Sequence, residues 1–390
     1  MINQQTEKLY YADPYRKEFD AAVLSAEISG EKLLVVLDRT AFYPEGGGQP
    51  ADHGTLAGLP VTDVHEKDGV IVHTCLLADH PEDLFTAGKT VHGILDWERR
   101  FDHMQQHSGE HIVSGMICSH FHCNNVGFHM GGDFITIDYD APVSEDDLRM
   151  IEEEANRYIA ENHPFEELWP TAEELKDIDY RSKKELTGAV RITRFPGADC
   201  CACCGTHVRS SAEVGMVKLF SVCRFREGVR IEMMSGRRLF AYLSACHDQN
   251  LLCSRATSSK PLETGSAVEQ MKQEVIHLKG RVVSLENELA DHIAASFAGA
   301  ESPVYFTDEM ESDSLRKLCV KIAAAASGRV IVLSGSEDCW KYAIIEEGAD
   351  LRPFVKKFNE ALNGRGGGRD GFAQGSLTAT RKAICAFLHL

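Results

Sequence analysis

Two short motifs, far apart along the chain, limit what it can fold into: His107-Ser108-Gly109-Glu110-His111 and Cys203-Cys204-Gly205-Thr206-His207. Histidines four residues apart on a helix lie one turn above each other on the same face, so both imidazoles reach one cation. Cys203 and His207 repeat that step about a hundred residues later. One thiolate and three imidazoles make an N3S set suited to tetrahedral zinc, and ligand pairs in such sites commonly come from separate elements. The spacing therefore predicts a centre of His107, His111, Cys203 and His207, and a fold that closes the gap between them. Two alternatives stand beside it. His103 extends the same ladder and competes with His107 as a ligand. The run Cys200-Cys201-Ala202-Cys203-Cys204 holds two overlapping CxxC pairs, which suit a structural zinc knot as well as a catalytic centre. With 17 histidines in 390 residues, an HxxxH pair taken alone is weak evidence.

Composition narrows the class. A chain of 390 residues is long for one core and predicts two to four domains. With 43% hydrophobic and 26% charged residues it falls among soluble globular proteins, and no apolar run is long enough to span a bilayer. The N-terminal stretch lacks the basic-then-apolar signal pattern, which predicts a cytoplasmic protein without a membrane partner. The 13 cysteines cluster at 200–204 and are otherwise scattered, which fits reduced thiols and one metal site better than a disulfide framework. A formal charge of −18 excludes a protein that coats nucleic acid through many Lys/Arg–phosphate contacts. Specific RNA binding then needs local basic patches, for which Arg224 to Arg238 and Arg352 to Arg369 are the candidates.

Along the chain, residues 1–90 read as mostly β: a buried-strand run at Leu33–Leu37, then a hairpin of Val61–Val64 with Val70–Val72 turning at Asp68-Gly69. Between them lies Phe42-Tyr43-Pro44-Glu45-Gly46-Gly47-Gly48-Gln49, a loop whose backbone does something side chains would prevent. Asp96 caps a helix that carries the histidines along a buried stripe. A strand at Phe134–Asp138, a Ser144-capped acidic helix, a helix near Thr171–Lys176 and a strand at Ala189–Ile192 follow, then a hairpin turning at Arg226-Glu227-Gly228. Residues 254–266 form a polar break. Beyond it Met271, Val275, Leu278, Val282, Leu285 and Leu289 recur at steps of four and three, a heptad seam that predicts dimerisation through the 268–292 helix. From 299 onwards strand, helix and strand alternate, an α/β pattern. Its glycine cluster Gly364-Arg365-Gly366-Gly367-Gly368-Arg369 is not GxGxxG in a strand-turn-helix setting, so dinucleotide binding is not expected, and Arg365 and Arg369 with bare backbone suit phosphate or RNA. A mere surface loop is the rival reading.

These motifs together resemble a known family. HSGEH with CCGTH is similar to the HxxxH and CGGTH motifs of the alanyl-tRNA synthetase editing domain and of the free-standing AlaX trans-editing proteins. FYPEGGGQ at 42–49 matches that family's loop, and 364–369 resembles the glycine-rich signature of the DHH-associated C-terminal domain. The four motifs fall in the family's order and cover nearly the whole chain. Residue by residue, the resemblance puts the metal ligands on His107, His111, Cys203 and His207, with none on His103. One position departs from the pattern: Cys204 stands where the family has glycine, so it either crowds the site or shows that the constraint is loose.

The resemblance implies an α+β chain in four parts: a small β-barrel with the glycine-rich loop (1–90), an editing domain with the metal site (91–245), a helical coiled-coil linker (246–298) and a DHHA1-like tRNA-binding domain (299–390). It implies hydrolysis of the ester joining serine, with glycine as a second candidate, to alanine tRNA, with one zinc per chain. Misacylated tRNA(Ala) is the implied partner, and the 268–292 helix and C-terminal domain the implied homodimer contacts. Gly46, Gly47 and Gly48 become a wall of the amino-acid pocket. Thr40 and Gln49 become the readers of the serine hydroxyl, and Gly366 to Gly368 with Arg365 and Arg369 the tRNA contacts. Glu110 is a candidate proton-transfer group, although its place on the helix, about 100° from His111, equally describes a surface carboxylate. No synthetase catalytic segment precedes residue 40, so amino-acid activation is expected to be absent. The rival class is a non-catalytic, zinc-stabilised RNA-binding or assembly module. A nearer rival, the editing domain of threonyl-tRNA synthetases, is disfavoured by the CGTH-type loop and the C-terminal glycine cluster.

Overall fold

The computed structural model describes residues 5–76, 84–182 and 188–390, a mixed α+β chain in two compact units, Met1–Gln249 and Asn250–Leu390. The first unit opens with six antiparallel strands closed into a barrel, in the order Glu18–Ser29, Lys32–Leu37, Val70–Leu76, Leu59–Lys67, Gly54–Leu56, Thr90–Leu95. Alternation puts Val23, Leu33, Val35, Leu37, Val61, Val64, Ile71 and Leu95 inside. The hairpin turns at Asp68 and Gly69, both at positive φ, as an Asp-Gly two-residue turn requires.

The barrel hands the chain to the 25-residue helix Trp97–Phe121, which carries the first ligand pair. Its N-cap Asp96 accepts from the Arg99 amide. Met104, Ile112, Val113, Met116 and Ile117 pack it on a four-stranded antiparallel sheet ordered Val217–Phe225, Gly228–Ser235, Ile135–Tyr139, Asn125–Met130. The helix Glu145–Ala160 lies in the same core, opened by a capping box between Ser144 and Asp147. The segment expected as a helix near Thr171 is a single 3-10 turn, Glu174–Asp177; the Glu174 carboxylate accepts from the Thr171 amide and caps it at once.

A second small sheet, ordered Glu166–Leu168, Ile192–Phe195, Asp199–Ala202, delivers the second ligand pair. The turn at Pro196-Gly197 has Gly197 at φ +84, the left-handed position of a type II turn.

The second unit contains the 33-residue helix Thr264–Ser296, about 50 Å long at 1.5 Å per residue. The polar break is shorter than expected: the preceding helix runs from Gly236 to Thr257, with Thr257 Oγ1 bonded back to the Cys253 carbonyl, and only residues 258–263 interrupt. Helices Ser312–Ala325, Arg352–Ala361 and Arg381–Leu388 pack on a mixed sheet ordered Val304–Thr307, Val330–Ser336, Cys339–Asp350, Arg365–Thr378.

The last strand contains the glycine cluster, so the rival reading of a mere surface loop does not hold. A Cβ on Gly366 would meet the Gln374 carbonyl at 2.5 Å, and one on Gly368 would meet the Phe372 carbonyl at 2.9 Å, so the two halves run back on each other about Asp370 and Gly371. Gly371 lies at φ +80. The absence of side chains here permits close backbone packing against Tyr342, whose hydroxyl a Gly366 Cβ would meet at 2.5 Å.

Candidate metal centre

The first unit brings the two motifs together. Among the described residues, His107, His111, Cys203 and His207 offer one donor atom each, all within 4.8 Å of one another. Cys203 Sγ stands 3.5 Å from both His107 Nε2 and His207 Nε2. A tetrahedral zinc with bonds of about 2.3 Å to sulfur and about 2.0–2.1 Å to nitrogen separates its ligand atoms by roughly 3.5 Å, so the donors fit such an ion. His103 takes no part. It is buried among Arg99, Arg238, Arg100 and His53, its Nδ1 has no partner, and burial together with those cations lowers its pKa to about 3.

Each ligand imidazole is oriented through its other nitrogen. Gln49 Oε1 accepts from the Thr206 amide at 3.1 Å and lies 2.9 Å from His107 Nδ1, while Gln49 Nε2 donates to Thr206 Oγ1. That fixes the amide and places the proton of His107 on Nδ1. Asp199 Oδ2 lies 2.7 Å from His111 Nδ1, and Arg181 grips the same carboxylate through Nε at 2.7 Å and a terminal nitrogen at 2.9 Å. Ser108 Oγ lies 3.3 Å from His207 Nδ1 and accepts from the Val208 amide. All three rings thus turn Nε2 inward, the arrangement in which outer partners raise ligand basicity and fix geometry.

Burial raises the Cys203 thiol, but the neighbouring His107 and His111 outweigh it and hold the thiol well below its usual range. Burial lowers His111, yet Cys203, Asp199 and Glu110 together push it up to about 10. Burial holds His207 well below its usual value. The two imidazoles thus favour the thiolate, the form in which a cysteine ligates a metal.

Three backbone features shape the cradle. Arg191 binds the Cys203 and Gly205 carbonyls at 2.9 and 2.8 Å and bends the second motif around its guanidinium. A Cβ on Gly48, at φ +88, would meet Phe128 at 2.5 Å, and Phe128 in turn stacks on His107. The buried Arg100–Asp52 pair, with Arg100 also bound to the Ala41 carbonyl and Asp52 accepting from the Tyr43 amide, ties the ligand helix to the loop that carries Gly46–Gln49. These parts surround a pocket of about 170 Å³ lined by Gly47, Glu110, Arg181 and Cys204 together with ligand residues.

Other expected residues sit differently. Thr40 is buried, lies 2.8 Å from His73 Nε2 and accepts from the Phe42 amide. Gln49 spends its amide on His107 and Thr206, so both expected readers of a serine hydroxyl have their hydrogen bonds inside the protein. Glu110 is not a surface carboxylate: it is buried, Oε1 accepts from Ser114 and Asn125 at 2.7 Å each, and Oε2 lies 3.9 Å from His111 Nε2. Tight helix packing turns this flank of the helix inward too. Cys204 does not crowd the donors; its thiol is turned to Tyr11. In the second unit Arg365 and Arg369 border shallow clefts, and Gly366, Gly367 and Gly368 border another. In the first basic patch Arg230 pairs with Asp138, Arg237 with Glu98 and Arg238 with Asp102, and in the second Arg352 pairs with Asp350.

Sequence reasoning missed Asp199, Arg181 and Ser108. Ser108 sits inside the first motif and Asp199 four residues before Cys203, but nothing in their spacing announces a ring partner.

Comparison with known proteins agrees with this geometry. Residues 3–99 match the family of class II (A) tRNA synthetases, and residues 190–232, which contain Cys203 and His207, match the threonyl and alanyl tRNA synthetase second additional domain. The chain is 27% identical to the alanyl-tRNA editing protein AlaX-L of Pyrococcus horikoshii, across 97% of this chain and 96% of that protein. It is 31% identical to the alanine–tRNA ligase of Thermococcus kodakarensis and 32% identical to that of Pyrococcus furiosus, in each case across 97% of this chain and 42% of the ligase. The chain thus spans about two fifths of those ligases and nearly the whole of the editing protein. With Cys203 and His207 inside the matched segment 190–232 and its full length aligned to a free-standing relative, the chain is similar throughout to the alanyl-tRNA editing protein AlaX-L.

Proposed function

We propose that this chain is a trans-editing hydrolase that cleaves the ester between serine and tRNA(Ala), with glycine as a second substrate. The observation that carries the reading is the convergence of three Nε2 atoms and one thiolate beside a pocket of aminoacyl size. The need for such a site is physical. A synthetic pocket shaped for alanine rejects an analogue with one added hydroxyl by only about 10²-fold, so a second site has to remove the error.

Zinc, one per chain, is the ion the N3S donor set fits, and when bound it supplies electrophilic polarisation of the ester carbonyl. Gln49, Asp199 and Ser108 orient the three imidazoles. Thr40 and His73 brace the barrel end of the glycine loop, and Gly47 brings bare backbone to the pocket wall. Glu110, 3.9 Å from His111 Nε2, is the carboxylate placed to hold a proton during hydrolysis.

We assign the four-part domain division given above, and tRNA contact to Arg365, Gly366, Gly367, Gly368 and Arg369 at the exposed edge of the second unit. No helix among the described residues is long and apolar enough to cross a membrane, and a cytoplasmic location suits a protein that acts on tRNA. The seam Met271, Val275, Leu278, Val282, Leu285 and Leu289 is between 45% and 54% exposed, so packing within the chain does not cover it; a second copy is the partner we assign.

Incubating the purified protein with seryl-, glycyl- and alanyl-tRNA(Ala) tests the reading. It expects loss of the seryl and glycyl esters and survival of the alanyl ester. Stable seryl-tRNA in the presence of zinc-loaded protein would favour the rival, a zinc-stabilised RNA-binding module.

A further inference from the structure

Two thiols outside the donor cluster lie together at the far end of the ligand helix. Cys118 is in the last turn of Trp97–Phe121, and Cys123 follows His122, which ends the helix at φ 51. A helix that ends on a left-handed residue turns its chain back, so that the residue four before that point meets the residue one after it. Cys118 and Cys123 hold those two places. The Cys123 thiol donates to the Cys118 sulfur and has the Ile117 carbonyl, at 3.8 Å, as a second acceptor. Both thiols are free, and both line a cleft of about 740 Å³; Cys118 is half-buried and Cys123 buried. Among the described residues, no group of three or more metal donors includes either sulfur, so the pair suits thiol–disulfide chemistry better than metal binding.

The two sulfurs are not alike. The hydrogen bond from Cys123 pulls the Cys118 thiol below its usual range against the effect of burial, and the Arg181 cation and the Asn125 amide add to it. The same hydrogen bond, with burial, pushes Cys123 up. Burial also pushes up Cys75, Cys201 and Cys319. A thiolate, not a thiol, reacts with peroxides, and a sensor cysteine is accessible, readily ionised and set beside a resolving thiol.

We propose that Cys118 and Cys123 are a modification site, a redox-active dithiol that a hydroperoxide converts to an intramolecular disulfide. The Cys118 thiolate attacks one peroxide oxygen, the O–O bond breaks, and hydroxide leaves while Cys118 becomes a sulfenic acid. That step removes the negative charge that held the proton on Cys123. The Cys123 sulfur then attacks the Cys118 sulfur, the S–O bond breaks, and the hydroxyl leaves with the Cys123 proton as water. The pair loses two electrons and one peroxide gains them. An added dithiol reverses the change by exchange.

The test treats the wild-type protein with one equivalent of hydrogen peroxide, quenches it over time with an alkylating agent and maps the thiols by mass spectrometry. No Lys or Arg lies between Cys118 and Cys123, so both fall in one tryptic peptide. That peptide should become two hydrogens lighter and lose both alkylation sites together. It should do so roughly tenfold faster than the exposed Cys223 is oxidised, and ahead of Cys203, with recovery in dithiothreitol. In Cys123→Ser the reaction should stop at a Cys118 sulfenic acid that dimedone captures. A pair that reacts no faster than Cys223, prior oxidation of Cys203, or a disulfide from Cys118 to Cys200 or Cys201 overturns the proposal. The wild-type map decides it even if the variant fails to fold.

Discussion

Gly205 lies so close to His107 that a Cβ on it would stand 2.1 Å from the imidazole Cε1 and 2.3 Å from Nδ1. The second motif can approach the first only because this position carries no side chain. Cys204, where the family's other glycine stands, has room and turns its thiol to Tyr11. Gly205→Ala should therefore displace His107 and weaken zinc binding by about 10–100-fold, the size of effect seen when ligand orientation is lost, whereas Cys204→Gly should leave it unchanged. Competition with a chromophoric chelator measures both; equal affinity in all three proteins contradicts this account.

Asp199 is the partner whose loss should matter most for His111. Asp199→Asn keeps the shape but removes the charge that holds the imidazole and leaves Arg181 without its anion. The expected outcome is a zinc affinity lower by about 10–100-fold with the fold intact by circular dichroism. Wild-type affinity would mean that the carboxylate serves packing alone.

Acid should destabilise the first unit through two buried neutral histidines. Burial lowers His73 to about 4, and burial with neighbouring arginines lowers His103 to about 3, against 6.5 in an exposed chain. Between those values the unfolded chain holds more protons than the folded one. The stability is complete above about pH 6.5 and declines as pH falls, by up to about 1.4 kcal/mol per pH unit for each histidine. His103→Leu also removes an unpartnered buried nitrogen. Its melting temperature should fall less steeply than the wild type's between pH 6.5 and 4; parallel curves would show that His103 does not carry this term.

The exposed heptad seam makes a prediction about assembly. Leu278→Glu with Leu285→Glu places charge at two seam positions and should convert a dimer to a monomer in light scattering, with seryl ester hydrolysis retained by each chain. A dimer that persists in the double variant refutes the coiled-coil assignment.

The legible parts of this chain were those with a local physical signature. Asp96 and Ser144 announce helix starts because a side chain caps the next amides, Asp68-Gly69 announces a hairpin because only such pairs accept two positive φ angles, and the four-residue steps announce ligands because helical geometry sets them. What could not be read depends on partners distant in sequence. Asp199 faces His111 across 88 positions, and Glu110 is buried only because Asn125 and Ser114 close over it. That the glycine cluster is strand was not legible for a related reason. Glycine lowers strand propensity, yet here the hairpin arm packs so closely on residues 372–376 and Tyr342 that a side chain at Gly366 or Gly368 would collide. Gln49 was found, but the hydrogen bonds that make it a holder of His107 lie with Thr206, 157 residues on.

The central claim is that ester hydrolysis depends on one metal ion held by His107, His111, Cys203 and His207. Its most direct test is the rate of seryl-tRNA(Ala) deacylation against zinc bound per chain, for the wild type titrated from the metal-free state and for Cys203→Ala. The account predicts activity that rises with zinc to a plateau at about one ion per chain, and loss of both metal and activity in the variant. Full hydrolysis by metal-free wild type, or by Cys203→Ala, would contradict it.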